Sequence, residues 1–318
     1  MIVMDKSAKI YVAGHRGMVG SSLVRLFERE GYHNLLTASS NELDLRNTEA
    51  VKSFFERHHP DYVFLAAAKV GGIKANNAAP AEFLYDNLMV QCNVIHQSYL
   101  SRVKKLVFFG SSCIYPRECP QPMKEEYLMT GPLEPTNEGY GIAKVAGFKM
   151  AYFYAKQYGM DVLNIMPCNL YGTNDHFDLD KAHVLSSLVR RFVDAVDSGD
   201  KTVTCWGTGT PRREFMHVDD LATATMFLLE RFNSPELINV GSGFDVTIRE
   251  LAEMVGREAG FTGQIFWNTS MPDGMMKKCL EVSKLNSLGF KPSTPLPEGI
   301  RRTVAEYRAI KRIGDKTP

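Results

Sequence analysis

Residues 10–30 constrain the fold more than any other part of this sequence. A short apolar run, Ile10-Tyr-Val-Ala13, breaks at Gly14 and passes through Gly14-His-Arg-Gly17-Met-Val-Gly20. The stretch from Met18 to Glu30 then carries Val19, Leu23, Leu26 and Phe27 at helical spacing. A buried strand, a tight turn and a helix in that order leave backbone N–H groups at the mouth of the turn, which suits a dinucleotide pyrophosphate. Gly14 permits the tight turn, Gly17 lets the backbone approach phosphate, and Gly20 lets helix pack closely on strand. The spacing is G-x-x-G-x-x-G rather than G-x-G-x-x-G, and a purely structural strand-to-helix turn is the competing reading.

The alternation continues. Strands are predicted near 34–38, 62–66, 105–109 and 161–166, and helices near 48–58, 80–100 and 140–158. Near-continuous apolar strands separated by helices imply a Rossmann-type doubly wound parallel sheet, an α/β fold. After Met166 the rhythm changes. Loop-rich stretches (169–183, 199–215, 262–278) alternate with helices near 183–197, 219–231 and 247–259, and a Pro-rich break at 292–297 precedes a final amphipathic helix. The expected organisation is a dinucleotide-binding domain over 1–170 and a smaller, mainly substrate-binding α/β lobe over 171–318, with some later segments returning to the first.

The 318 residues, 44% hydrophobic and 23% charged, suffice for both cores. Thirty-seven basic against 36 acidic side chains give a net charge of +1, which provides no electrostatic case for nucleic acid or an anionic membrane. Six cysteines without CxxC or metal-ligand spacing read as reduced thiols, so no metal is expected. The polar N-terminus does not read as a signal peptide and no apolar run approaches a membrane span of about 20 residues, so a cytoplasmic protein is expected.

Tyr140-Gly-Ile-Ala-Lys144 puts a phenol and an ammonium on one helix face. A nearby ammonium favours the phenolate, so such a phenol can exchange a proton with a substrate oxygen. Ser111-Ser112-Cys113 lies at a strand end between this pair and the glycine turn. At the second strand's end, Leu36-Thr-Ala-Ser-Ser40, no carboxylate appears before Glu42. NAD sites usually carry one there, and Arg16, Ser39 and Ser40 suit a ribose 2′-phosphate, which favours NADP. A solvated turn residue is the alternative for Arg16. Asp44 either bonds the adenine amine or caps the following helix.

The ordered motifs resemble the extended short-chain dehydrogenase/reductase superfamily and, within it, the GDP-L-fucose synthase family. They are Gly14-His-Arg-Gly-Met-Val-Gly20, Ala66-Ala-Ala-Lys-Val-Gly-Gly-Ile73, Gly110-Ser-Ser-Cys-Ile-Tyr-Pro116, Glu134-Pro-Thr-Asn137 and Tyr140-x-Ile-Ala-Lys144. Asn169-Leu-Tyr-Gly172, His183-Val-Leu, Trp206-Gly-x-Gly-Thr-Pro211, Arg213-Glu-Phe, His217-Val-Asp-Asp220 and Pro272-Asp-Gly274 follow. The resemblance covers nearly the whole chain. It implies NADP (as NADPH) held by Gly14, His15, Arg16, Gly17, Met18, Val19, Gly20, Ser40, Asp44, Leu45, Ala67, Phe109, Gly110, Ser111, Tyr140, Lys144, Pro167, Asn169, Leu170 and His183. It further implies a GDP-linked 4-keto-6-deoxy sugar contacted by Asn169, Arg191, Trp206, Arg213 and Asp273. Two departures stand out: Ser40 occupies a place that is usually basic, and Cys168 a place where Thr is common.

The implied reaction inverts C3 and C5 beside a C4 ketone and then reduces C4. By resemblance Cys113 removes a proton and His183 returns one; both residue types titrate near neutral pH in suitable surroundings. A buried small hydrophobe remains the plainer reading of Cys113, and a helix-start residue bonded to a backbone carbonyl that of His183. Tyr140 then protonates the oxygen, Lys144 lowers the phenol's pKa, and Ser111 stabilises charge on O4. Ser112 reads as a structural hydroxyl, and Arg190 and Arg212 as surface residues. The resemblance also implies a homodimer through helices near 80–100 and 140–158. Within the class, GDP-L-colitose or GDP-heptose enzymes are rivals; outside it, a non-catalytic dinucleotide sensor on the same scaffold is disfavoured by the presence of all five catalytic residue types.

Overall fold

The computed structural model describes residues 4–179, 182–271 and 273–314. The first half runs β1 (Ile10–Ala13), α1 (Met18–Arg29), β2 (Leu35–Leu36), α2 (Thr48–His58), β3 (Tyr62–Leu65), α3 (Ile73–Ala78), α4 (Pro80–Leu100), β4 (Lys105–Phe109), α5 (Glu138–Tyr158) and β5 (Val162–Pro167). The second comprises β6 (Asn169–Tyr171), α6 (Val184–Ser198), β7 (Thr202–Trp206), β8 (Arg212–His217), α7 (Val218–Arg231), β9 (Leu237–Val240), β10 (Asp245–Thr247), α8 (Ile248–Ala259), β11 (Gln264–Asn268), β12 (Lys277–Lys278), α9 (Ser283–Ser287) and α10 (Leu296–Gly314).

A parallel sheet in the order β2-β1-β3-β4-β5-β9 forms the main layer. Strands β1, β3, β4 and β5 are buried along their whole length, which is why their sequences are mainly apolar, with Lys105 and Asn164 the polar exceptions. The chain leaves β1 toward β2 on one side and returns to β3 on the other, so a crevice opens above the carboxyl ends of β1 and β3. Strand β2 is only two half-buried residues, because it lies at the sheet edge and pairs with β1 alone. Helices α4 and α5 approach closely through small residues. A Cβ on Gly139 would lie 2.7 Å from the Pro80 carbonyl oxygen, and one on Gly147 2.6 Å from Gln91.

The stretches read from sequence as loops after residue 169 contain several short strands. β8 is flanked by β10 (antiparallel), β12 and β6, and β7 pairs with β11. These strands are short and flanked by Gly, Pro and Thr, so tertiary pairing rather than local pattern makes them strands. Their apolar faces pack with α6, α8 and α10 around Leu185, Val189, Phe192, Leu251, Val255 and Ile300. A second correction concerns β9, the sixth strand of the main sheet, which was not anticipated. It returns with α7, and with Leu280, Val282, Leu285 and Phe290, to the first apolar core.

Candidate active site

The glycine turn has the shape of a phosphate cradle. Gly14 sits at φ +86°, and a Cβ there would lie 2.7 Å from the Ala67 Cα across the crevice. A Cβ on Gly20 would lie 2.2 Å from the Gly14 carbonyl oxygen, so helix and turn touch. Gly17, the N-cap of α1, faces open space, with only the Gly14 oxygen 3.5 Å from a Cβ placed there. No side chain caps α1 and no acidic residue stands in its first turn, so the N–H groups opening at Met18 and Val19 are available to an anion. These features fit a dinucleotide pyrophosphate.

Farther along the crevice the ribose end is less simple. Arg16 and Ser40 are exposed. The Ser39 hydroxyl, read as a phosphate donor, instead donates to Glu42 Oε2 at 2.7 Å, and the Ser39 N–H does so at 2.8 Å. Those two bonds hold the Glu42 carboxyl below its ordinary value, with Arg16 and His15 adding a smaller pull. His15 is held down by burial and then by the neighbouring Arg16 charge. Asp44 does not cap the next helix, because Asn47 does so by accepting the Ala50 N–H at 3.0 Å. Its carboxylate is instead gripped by Arg46, at 3.0 Å from Nε and 2.9 Å from Nη2. Leu45 packs against the core, and its carbonyl accepts from Asn93.

Strand β4 ends at Phe109, and Gly110 and Ser111 lead into a single helical turn, Ser112–Ile114, that carries Cys113. Ser112 is buried. Helix α5 lies against this turn, where a Cβ on Gly141 would lie 3.0 Å from the Cys113 carbonyl oxygen. The helix therefore brings Tyr140 and Lys144 to the end of β4. Lys144 is 3% exposed and donates to the Phe109 carbonyl at 2.8 Å; burial pulls its ammonium down to about 8. The Tyr140 phenol is pushed up, by burial first and then by the charge of Cys113, with the Ser111 side chain opposing. This reverses the expectation that Lys144 lowers the phenol. Its Nζ is tied to a carbonyl and lies over the Tyr140 ring, 5.9 Å from the centroid, and burial dominates. The phenol holds its proton.

Cys113 has unusual company. Its Sγ is 3.1 Å from Asn137 Nδ2 and 3.3 Å from Lys278 Nζ, and its N–H donates to Ser111 Oγ at 3.3 Å. Burial opposes ionisation, but the Lys278 charge with the bonds from Ser111, Lys278 and Asn137 outweighs it, and the thiol lies below its ordinary value. The other five thiols are all pushed up by burial, Cys279 to about 12. Neither Asn137 nor Lys278 was singled out from sequence. Asn137 closes the Glu134-Pro-Thr-Asn137 motif three residues before Tyr140, a signal that could have found it. Lys278 has no local signal, since a lysine pair on a two-residue strand looks like any solvated face.

A second group gathers in the other lobe. The Arg191 guanidinium stands 5.8 Å from the Trp206 ring, and that indole is 55% exposed. Gly207 touches Asp273, whose carboxylate accepts the Thr208 N–H at 2.7 Å and its hydroxyl at 2.9 Å. Asp273 thus ties down the Trp206–Pro211 loop. A Cβ on Gly274 would lie 3.7 Å from Arg213 Nη2, and Arg213 is held below its ordinary value by burial, with Glu134 opposing. Arg191, Trp206, Asp273 and Arg213 therefore form one connected run; Pro272 of this motif lies outside the described residues.

His183 is the exposed N-cap residue of α6, but its side chain makes no cap bond. It lies in the field of Asp175, whose carboxyl is raised by burial while Ser186 and His183 oppose. One turn on, Ser187 accepts from Arg191 Nε at 3.4 Å, so α6 links His183 to the second group. Arg190 and Arg212 are not plain surface residues. Arg190 donates to the Phe177 carbonyl at 3.0 Å, and Arg212 is bonded to Asp245. Pro167 ends β5 and Asn169 and Leu170 open β6 just beyond it, with Asn169 Nδ2 donating to the Glu214 carbonyl at 2.8 Å. Glu214 was also missed. Fully buried, its carboxyl is raised to about 7 by burial while accepting the Gly243 and Leu280 N–H groups at 2.6 and 2.8 Å.

A glycine cradle, a Ser–Tyr–Lys cluster and a polarised thiol describe chemistry beside a carbonyl, and similarity to known proteins agrees. Residues 10–241 match the model of the NAD dependent epimerase/dehydratase family. GDP-L-fucose synthase 1 of Arabidopsis thaliana is 53% identical over 303 residues, spanning 95% of this chain and 94% of that protein. Among solved structures, a GDP-6-OMe-4-keto-L-xylo-heptose reductase from C. jejuni superposes with a TM-score of 0.92 at 38% identity, covering 96% of this chain and 99% of the other. A GDP-L-fucose synthetase from Naegleria fowleri bound to NADP gives a TM-score of 0.90 at 26% identity, covering 98% and 97%. The chain belongs to the NAD dependent epimerase/dehydratase family.

Proposed function

We propose that the protein is an NADP-dependent epimerase-reductase that converts GDP-4-keto-6-deoxy-D-mannose to GDP-L-fucose, inverting C3 and C5 and then reducing C4. The observation that carries this reading is the juxtaposition of a thiol held low by Lys278 and Asn137 with Tyr140 and Ser111. A pure reductase needs the phenol and no second acid–base group. The resemblance to a GDP-L-fucose synthase over nearly the full chain names the sugar.

A C4 ketone acidifies the hydrogens on C3 and C5, because the carbanion left behind delocalises as an enolate. The Cys113 thiolate takes such a proton and becomes a thiol, and Ser111 and the protonated Tyr140 donate to the enolate oxygen. His183 delivers a proton to the opposite face, which inverts the centre. Residues 14–20 would hold the dinucleotide pyrophosphate, Arg16 and Ser40 would face its ribose phosphate, and Lys144 would hold the nicotinamide ribose. When bound, NADPH supplies the hydride for C4. Tyr140 gives its proton to O4 as the alcohol forms, and its raised pKa keeps that proton in place until then. Arg213 and Arg191 hold the diphosphate, while Trp206, Asn169 and Asp273 line the nucleotide-sugar.

The test supplies GDP-4-keto-6-deoxy-D-mannose and NADPH in deuterated water, following nicotinamide absorbance and locating deuterium by NMR. Label at both C3 and C5 with cofactor oxidation supports the reading. Label at C5 alone points to a 3-deoxy sugar pathway such as colitose, and no turnover overturns catalysis on this sugar. A GDP-heptose substrate is a second reading, favoured by the fold similarity to the C. jejuni reductase. We also assign cofactor binding to residues 1–170 with the returning segments and substrate binding mainly to 171–318. Exposed Tyr85, Leu100, Ile142, Phe153 and Tyr158 on α4 and α5 support a homodimer through these helices. No helix among the described residues is long and apolar enough to cross a membrane, and we assign the enzyme to the cytoplasm.

A further inference from the structure

We infer that Lys278, contributed by the second lobe, holds Cys113 as the ionised base of the epimerisation step. Lys278 is thus a positioning residue, and the base is complete only when the two lobes are docked. This rests on the reading of Cys113 as that base.

The geometry assembles in steps. β12 pairs in parallel with β8, placing Lys277 beside Arg212 and Lys278 beside Arg213. Side chains alternate along a strand, so the two lysines face opposite ways. Lys277 meets Asp245 at 3.1 Å, whereas Lys278 crosses to Cys113 Sγ at 3.3 Å, 165 residues earlier in the chain. Among the described residues no carboxylate lies within ion-pairing distance of Lys278, so its charge is not neutralised by another partner. The strand is fixed relative to the thiol by the segment just beyond it. Gln121 Oε1 accepts the Cys279 N–H at 3.0 Å, Met123 N–H donates to the Cys279 carbonyl at 2.8 Å, and Glu281 N–H donates to the Met123 carbonyl at 2.9 Å.

Every element around the thiol contributes. Ser111 comes from the end of β4, Asn137 and Tyr140 from the start of α5, and Lys278 from β12; Cys119 also feels the Lys278 charge. Of these groups, among the described residues, only Lys278 is a cation. Removing it leaves a half-buried thiolate stabilised by neutral donors alone, and desolvation then favours the thiol. The thiolate charge adds, second to burial, to the upward shift of Tyr140. The proton balance is closed: the thiol loses its proton to solvent before substrate enters, and regains one from C3 or C5 as the enolate forms.

The experiment uses the full chain with NADPH and compares Lys278→Met, Lys278→Arg and Cys113→Ser. Two pH profiles are measured, deuterium exchange at C3 and C5 and iodoacetamide alkylation of Cys113, with Cys113→Ser as the background for other thiols. Reduction of a ketone already inverted at both centres is followed in parallel. In Lys278→Met the acid limb of both profiles should move up by about 1–3 pH units, and exchange at pH 7 should fall about tenfold or more. Lys278→Arg should restore most of the shift, and all variants should still reduce the pre-inverted ketone, which certifies their folding. An unmoved acid limb in Lys278→Met overturns the role of Lys278, whether or not exchange slows. Undiminished exchange in Cys113→Ser instead overturns the reading of Cys113, whatever Lys278→Met does.

Discussion

Asn239→Leu should be among the most destabilising single changes in this protein. Asn239 is fully buried on β9, and its side chain joins three segments. Its Nδ2 donates to the Met123 carbonyl at 2.9 Å and the Glu281 carbonyl at 3.1 Å, and its Oδ1 accepts the Tyr115 hydroxyl at 2.6 Å. Leucine matches the volume but leaves the buried Tyr115 hydroxyl and the Glu281 carbonyl unpartnered, whereas the Met123 carbonyl keeps the Glu281 N–H. Each such group costs about 1–3 kcal/mol, and partial relaxation brings the sum for the two to about 2–4 kcal/mol, a large share of the about 5–15 kcal/mol that holds a protein folded. Tyr115→Phe removes one of the three bonds and keeps the ring, so it should cost only about 1 kcal/mol. Urea unfolding of both variants, read by far-UV circular dichroism, gives the two losses on one scale. A loss below about 1 kcal/mol for Asn239→Leu would refute the reasoning, because the two groups would then have found other partners or water.

Cys113→Ser should lose exchange at C3 and C5 by about 100-fold or more while keeping reduction of a pre-inverted ketone, as read by NMR and nicotinamide absorbance; equal losses would remove the base from Cys113. Burial holds Lys144 at about 8, below the ordinary lysine value of 10.5, so the folded protein binds fewer protons between those values and stability should rise with pH across that window. Lys144→Met should therefore be more stable than the native chain at pH 7 by about 1–3 kcal/mol after loss of the bond to Phe109, with the gap closing from pH 8 to 10.5 in urea titrations, and it should lose reductase activity. Ser40→Arg should place a second cation beside Arg16 and raise the preference for NADPH over NADH by about threefold to tenfold in kcat/KM; no change would put the ribose phosphate elsewhere.

The first half of the fold was legible because its strands are buried on both faces and bounded by Gly, Asp or Pro, as in Lys105–Phe109 before Gly110. Its helices were legible from apolar spacing, and the start of α5 fell two residues earlier than its tyrosine. The second half hid its strands. Thr202–Trp206 alternates exposed and buried residues, but five residues among Gly and Thr carry little weight against a loop. β9 holds a buried Asn near its centre and spans four residues, so nothing local marks it as the outer neighbour of β5. The candidate site divides the same way. Tyr140, Lys144 and Ser111 announce themselves by spacing, whereas the direction of the Tyr140 shift depends on where Lys144 Nζ finds a carbonyl. That is a tertiary fact, as is the reach of Lys278.

The return of β9 to the main sheet bears on how this chain can be dissected. Val162–Pro167 takes its outer partner from residues 237–240, more than 70 positions downstream in the chain. A fragment ending near residue 170 would bare that apolar ladder, with its unpaired N–H and C=O groups, to any passing strand. Such a piece would be recovered as aggregate rather than as a working cofactor module, and on the ribosome the same edge stays open until the later segment emerges.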